Sequence, residues 1–163
     1  MRKHVVIMGV SSCGKSTVGE LLAQRTGLPF RDGDDMHPKA NIEKMASGQA
    51  LDDADRKPWL ESIGRFLADQ DAGAIVGCSA LKRSYRDIIR AAAPDTFFVH
   101  LHGSYDLLKE RMIQRSGHFM PVSLLDSQFE TLEELQPGEA GIVLDVRAAP
   151  EELAAAAAEY LQV

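Results

Sequence analysis

The stretch Gly9-Val10-Ser11-Ser12-Cys13-Gly14-Lys15-Ser16, followed by Thr17, leaves this chain few ways to fold. It fits G-x-x-x-x-G-K-[ST], a loop that wraps nucleotide phosphates when a strand precedes it and a helix follows. Both flanks are present: His4-Val5-Val6-Ile7-Met8 is an apolar run suited to a buried strand, and Thr17 to Ala23 opens a helix. Glycines let the backbone approach phosphate closely, and successive N–H groups turn into the loop. The helix N-terminus adds partial positive charge. In that setting Lys15 reaches the β- and γ-phosphates, and the Ser16 hydroxyl sits on Mg²⁺. ATP or GTP is the first expectation, with the fate of the phosphate left to residues elsewhere.

The 163 residues suit one domain with a full core. A net charge of −6 argues against a general nucleic-acid or membrane-surface binder. No apolar run approaches the ~20 residues of a membrane helix. The start, Met1-Arg2-Lys3-His4 before Val5 to Val10, faintly resembles a signal peptide, but its apolar part is too short and runs into the loop. Cys13 and Cys78 form no metal-ligand pattern, so a reduced cytoplasmic protein is expected.

Strands and helices alternate along the chain. The first helix spans about Lys15 to Thr26 and stops at Gly27. Leu28-Pro29-Phe30-Arg31 enters a short strand ending in Asp32-Gly33-Asp34-Asp35. Residues 36–56 are polar, with a short helix near Asn41 to Ala46, and read as an inserted substrate-binding element. They carry His37, Lys39, Lys44, Asp52, Asp53, Asp55 and Arg56. Pro58 suits the first turn of the next helix, which runs to about Gln70 with Trp59, Leu60, Ile63, Phe66 and Leu67 inward. Gly73 to Cys78 and Thr96 to Leu101 are strands, with a helix between them from the Lys82 region to about Ala92. A helix follows Ser104, the Ser116-to-Pro121 segment breaks it, and another spans about Val122 to Glu134. Gly141 to Val146 is a fifth strand, and Pro150 opens a last, alanine-rich helix. Such alternation predicts an α/β fold with a mainly parallel sheet.

The chemistry narrows next. A GTPase switch wants D-x-x-G and [NT]-K-x-D; neither occurs, and Asn41 is the sole asparagine. A small-molecule kinase needs metal, positioning and cations around the transferring group. Asp32 and Asp34 lie two apart on an extended segment, so both point one way: one for Mg²⁺, the other for an acceptor hydroxyl. An acidic turn is the plainer alternative. Lys82, Arg83 and Arg86 gather after the third strand and point to an anionic substrate, or else to a solvated helix face. Arg111 and Arg115 share a helix face and read as cations that a lid brings onto ATP, with the same plain alternative. His37 and His118 carry weaker signals, and no His/Asp/Glu constellation fits zinc.

Several segments together resemble the gluconate kinase family, within the shikimate-kinase-like and nucleoside-monophosphate-kinase-like P-loop group. They are Gly9 to Thr17; Asp32-Gly33-Asp34-Asp35-Met36-His37-Pro38 with Asn41-Ile42 and Lys44-Met45; Gly48, Leu51, Asp55-Arg56 and Pro58-Trp59-Leu60; Cys78-Ser79-Ala80-Leu81-Lys82-Arg83-Ser84-Tyr85-Arg86; and Gly117-His118-Phe119-Met120-Pro121 with Leu125, Ser127-Gln128-Phe129 and Leu132-Glu133. The resemblance implies one kinase domain over 1–163: a three-layer fold, a five-stranded sheet in the order 2-3-1-4-5 with helices on both faces, a substrate-binding insertion at about 36–56 and a lid at about 116–124. It implies transfer of the ATP γ-phosphoryl to the 6-hydroxyl of D-gluconate, and a homodimer. Other readings are a kinase for shikimate or another hydroxy acid, a nucleoside-monophosphate kinase, or a nucleotide-gated binding module.

By the same resemblance, residues 9–17 hold the nucleotide, Ser16 and Asp32 serve Mg²⁺, and Lys15, Asp34 and Arg115 are catalytic. Arg111 lies near adenine, and the loop from Arg147 to Pro150 closes over the base. Asp34, His37, Arg56, Lys82, Arg83, Arg86, His118 and Gln128 form the sugar-acid pocket. The chain departs from the family at Ser12, where a glycine is common, and at Leu132-Glu133-Glu134-Leu135-Gln136-Pro137, where a proline commonly comes sooner.

Overall fold

The computed structural model describes residues 1–114 and 122–162, with the side chains of Val122 and Ser123 left aside. Arg115, His118 and most of the segment expected to form a lid lie outside that set. The elements are β1 (His4–Met8), α1 (Lys15–Thr26), β2 (Phe30–Asp32), a 3₁₀ turn (Gly33–Met36), α2 (Lys39–Ala46), α3 (Asp53–Asp69), β3 (Ala74–Gly77), α4 (Arg83–Ala92), β4 (Phe97–His102), α5 (Tyr105–Gln114), α6 (Val122–Thr131), β5 (Gly141–Asp145) and α7 (Pro150–Leu161).

All four strand pairings are parallel, and the sheet runs β2-β3-β1-β4-β5. β1 sits at its centre and is buried on both faces, so its residues are apolar without alternation. The two-residue pleat still sorts them. Val5 and Ile7 join the core with Leu22, Leu108, Leu125 and Leu153 from α1, α5, α6 and α7. Val6 and Met8 join the opposite core with Leu60, Ile63, Tyr85 and Ile89 from α3 and α4. Each such fully buried aliphatic side chain contributes roughly 1.5–3 kcal/mol. The result is the α/β arrangement that the alternation of elements predicts, in the three layers that the family resemblance implies.

Two boundaries differ from the sequence expectation. Helix α3 starts at Asp53, so Pro58 lies inside the helix rather than in its first turn. The reason is a capping box: the Asp52 carboxylate accepts from the Asp55 amide at 2.7 Å, and Asp55 accepts from the Asp52 amide at 3.0 Å. Helix α6 ends at Thr131, short of Glu134. Beyond it the chain turns toward the end of β3, where the Glu133 amide donates to the Leu81 carbonyl.

The parallel sheet directs β1, β2 and β3 toward one edge. The phosphate loop, the Asp32–Asp34 turn and the Ser79–Lys82 segment therefore leave the sheet side by side at its carboxyl end, where open α/β sheets bind ligands. Among the described residues no helix is long and apolar enough to cross a membrane.

Candidate active site

The phosphate loop carries two left-handed residues in a row of tight turns. Gly14, the N-cap of α1, has φ +94°, and Ser12 has φ +70°. Glycine adopts such angles freely; serine does so with strain. No acidic residue occupies the first turn of α1, and no side chain caps it. Its leading N–H groups therefore remain available to an anion. Ser12, Gly14, Lys15, Ser16, Thr17, Arg111 and Gln114 line a cavity of about 460 Å³. Helix α5 thus brings Arg111 to the loop. Its guanidinium also donates to the Val146 carbonyl at 2.7 Å, which ties α5 to the segment after β5. Arg147 pairs instead with Asp145 at 2.7 Å, its side chain 80% exposed, and Pro150 starts α7; neither lines this cavity.

Lys15 folds back over its own loop, where Nζ donates to the carbonyls of Gly9 (2.9 Å) and Val10 (3.1 Å). A phosphate oxygen is a stronger partner than either carbonyl, because both ends of that bond are charged. Cys13 is buried inside the loop. The Ser11 amide donates to Gln128 Oε1 at 2.6 Å, so Gln128 belongs to the loop's surroundings.

Asp32 and Asp34 do not present matching carboxylates. Asp32 Oδ1 caps the 3₁₀ turn by accepting from the Asp34 amide at 2.9 Å. Gly33 between them admits no side chain, since a Cβ there would lie 2.5 Å from the Gly77 carbonyl. That close approach presses the turn against β3. From the other side, buried Trp59 donates its indole N–H to the Gly33 carbonyl at 2.8 Å. The turn is therefore held at Gly33, next to Asp34. Burial raises the Asp34 pKa above the usual carboxylate range, the Asp32 charge pushes it the same way, and Lys15 and His37 oppose them.

His37 stacks on the Trp59 ring, with centroids 4.1 Å apart and planes 16° from parallel. Asn41 determines its tautomer. Asn41 Nδ2 donates to the Asp55 carbonyl at 2.9 Å, which identifies it as the amide nitrogen, and it also lies 3.2 Å from His37 Nδ1. Nδ1 must then accept, so the neutral ring carries its proton on Nε2. Burial, the largest influence, lowers the His37 pKa, and Arg56 adds to that.

The cations expected around the acceptor separate into two groups. Arg56 Nη1 donates to the Tyr85 hydroxyl at 3.1 Å, Tyr85 donates to Asp53 Oδ1 at 2.5 Å, and Lys82 Nζ lies 3.4 Å from the same carboxylate. Arg83 and Arg86 face elsewhere. The Arg83 guanidinium donates to Gln136 and its amide to the Glu133 carboxylate. Arg86 does not take the pocket position that its place beside Lys82 implies. Its side chain and that of Glu139 are both 0% exposed, and they pair at 2.7 and 3.0 Å. The remaining Arg86 donors reach the carbonyls of Ala80 (2.9 Å) and Glu134 (3.2 Å). The guanidinium is thus held inside the protein, away from the surface a substrate would reach.

Trp59, Asn41, Tyr85 and Asp53 were not among the sequence-predicted site residues. Asn41 and Trp59 carried a signal, as polar or amphipathic residues that end up buried. Asp53 and Tyr85 carried little, because their relation spans two helices.

Comparison with known proteins identifies the family. The shikimate kinase family model matches residues 11–152. The gluconokinase of Gluconobacter oxydans is 50% identical over 80% of this chain and 75% of its own length. The thermosensitive gluconokinase of Escherichia coli is 46% identical, over 85% and 75% respectively. The chain belongs to the gluconokinase family. The crystal structure of a gluconokinase from Sinorhizobium meliloti superposes with a TM-score of 0.90 at 48% identity, covering 99% of this chain and 92% of that one. An APS kinase of Mycobacterium tuberculosis, at 17% identity and a TM-score of 0.71, shares the fold alone.

Proposed function

We propose that this protein transfers the γ-phosphoryl group of ATP to the 6-hydroxyl of D-gluconate, giving 6-phospho-D-gluconate and ADP. The observation that carries this reading is the Asp32–Asp34 turn, which leaves the carboxyl end of the sheet beside the phosphate loop, in a chain about half identical to gluconokinases. A carboxylate with a raised pKa is suited to take a proton as the acceptor oxygen attacks. The new O–P bond forms at the γ-phosphorus, the bond to the β,γ-bridging oxygen breaks, and the hydroxyl proton passes to Asp34.

Each remaining side chain has a task consistent with its surroundings. Lys15 leaves its two carbonyls for the β- and γ-phosphates and offsets charge developing there. His37, neutral and protonated on Nε2, offers a donor to an acceptor hydroxyl. Arg56 and Lys82 take the gluconate carboxylate at the far end of the acceptor. Arg111 lies against the nucleotide, and Gln128 steadies the Ser11 end of the loop. The donors available for Mg²⁺ are oxygens, the Ser16 hydroxyl and the Asp32 carboxylate, a set that suits this hard cation. Bound by these two groups, Mg²⁺ would neutralise phosphate charge. Arg115 and His118 are proposed to join from the segment between α5 and α6.

A coupled assay of ADP release with ATP, Mg²⁺ and a panel of acceptors tests this. Gluconate is expected to give the highest kcat/KM. Preference for shikimate or a nucleoside monophosphate, or turnover with none of them, would overturn it.

A further inference from the structure

We infer that Tyr85 and Asp53 are positioning residues, which hold Arg56 and Lys82 together as one preassembled clamp for the acceptor's carboxylate. The inference rests on the reading above, that these two cations meet the gluconate carboxylate.

The anchor is Tyr85. Its residue is only 5% exposed and its ring packs in the core formed by α3, α4 and the sheet. The hydroxyl is therefore a fixed point, unlike the tip of a long surface side chain. It uses both of its bonding capacities: a lone pair accepts from Arg56, and its proton goes to Asp53. The direction of that proton is imposed, because a guanidinium has no acceptor and an ionised carboxylate has no donor. Asp53 in turn meets Lys82 Nζ with both oxygens, at 3.5 and 3.4 Å. Lys82 and Arg56 also lie over the Tyr85 ring, each 5.5 Å from its centroid. One buried phenol thus contacts both cations and the anion between them.

The backbone supports the same arrangement. Asp53 and Arg56 are three apart on α3 and share a face. The capping box at Asp52 and Asp55 places that first helical turn, and Lys44 on α2 ties to Asp55 at 2.5 Å. Lys82 is the N-cap of α4, three residues before Tyr85. The four groups therefore join the starts of two helices that pack side by side.

Charge gives the cluster its selectivity. Two cations and one carboxylate leave a single net positive charge. That matches one carboxylate on the acceptor and leaves a dianion such as a phosphate monoester only half neutralised. Asp53 also keeps the two cations from repelling each other while the site is empty. The Tyr85 hydrogen bond is the main cause holding the Asp53 pKa below the usual carboxylate range, so Asp53 is ionised at neutral pH.

The experiment uses Tyr85→Phe, Asp53→Ala, the double variant and Arg56→Ala, each assayed for KM toward gluconate and toward ATP. Phenylalanine keeps the buried ring and removes only the hydroxyl. Tyr85→Phe is expected to raise KM for gluconate about tenfold and to leave KM for ATP within about twofold. Its preference for gluconate over the uncharged hexitol, which lacks the carboxylate, should fall by a similar factor. The double variant should be no worse than the poorer single one, since both break one relay. A wild-type KM for gluconate in Tyr85→Phe, an equal rise in KM for ATP, or additive effects would overturn the inference. Arg56→Ala separates the two levels. If it raises KM for gluconate and Tyr85→Phe does not, the clamp reading stands and the positioning role falls. If Arg56→Ala itself leaves KM unchanged, both fall.

Discussion

Arg86 and Glu139 form a fully buried ion pair that fastens the chain between α6 and β5 to α4. Arg86 also donates to the carbonyl of Ala80, a non-glycine residue at φ +45°, so the pair holds a strained turn just before Lys82. Burial pushes the Glu139 carboxyl up, but hydrogen bonds from Arg86, the Gln136 amide and Arg90 outweigh it and bring the pKa to about 2. Removing one partner strands the other charge. Arg86→Met should therefore cost about 3–5 kcal/mol in denaturant unfolding. Because the folded pKa is depressed, the contribution is complete above the ordinary glutamate value of 4.5 and is lost as pH falls toward 2. Unfolding midpoints that match the wild type across that window would contradict this.

Lys15 rests on two carbonyls of its own loop, so its replacement does little to the fold and much to the chemistry. Lys15→Ala should lower kcat by a factor on the order of 10²–10³ at saturating ATP. Circular dichroism and thermal unfolding should stay near wild type. An unchanged kcat would remove Lys15 from the transferring phosphate.

Asp34 is the proposed proton acceptor, and its raised pKa gives a signature in pH. Activity needs the ionised form, so kcat/KM should rise with pH on a limb displaced above the usual carboxylate range. Asp34→Asn should abolish that limb and lower kcat about 10²–10⁴-fold. Nucleotide affinity, measured by titration with ADP, should change far less. A loss confined to nucleotide binding would move Asp34 to the metal.

The sequence made the donor side of this site legible because that chemistry is local. Glycine spacing, a buried strand and a helix start all lie within residues 4–26, and the Asp32–Asp34 turn is a single contiguous segment. Parallel topology follows from the alternation of elements, whereas the strand order rested on family resemblance. The acceptor side was harder. Lys82, Arg83 and Arg86 look equivalent in a row, yet one reaches Asp53, one reaches Gln136 and one is buried against Glu139, 53 positions away. Asp53 is hidden in an acidic run whose members do different work: Asp52 and Asp55 cap the helix while Asp53 meets Tyr85. Reading Pro58 as part of the first turn of α3 conceals this, because only the start at Asp53 puts Asp53 and Arg56 on one helical face.

Ser12 holds φ +70°, an angle that glycine adopts freely. The left-handed conformation costs a non-glycine residue roughly 1–2 kcal/mol. Glycine removes that cost but gains freedom in the unfolded chain, worth about 0.4–1 kcal/mol. Ser12→Gly should therefore raise stability by up to about 1.5 kcal/mol in thermal unfolding. A clear loss of stability would mean that the serine hydroxyl holds the loop.

His100 lies in β4 between Met8 and Val143, almost wholly buried, and its Nδ1 has no hydrogen-bond partner. Burial pushes its pKa down to about 4, and the neighbouring His102, Arg86 and Lys15 reinforce that. The unfolded chain takes up a proton near the ordinary value of 6.5, while the folded one does not until about 4. Protons therefore favour unfolding between those values, and stability falls as pH drops through the window. A difference of this size corresponds to roughly 3 kcal/mol. His100→Leu keeps a similar volume and removes the titration. Its unfolding free energy, measured by urea denaturation from pH 7 to 4, should fall less steeply than that of the wild type. Parallel slopes for the two proteins would show that His100 takes up its proton without unfolding.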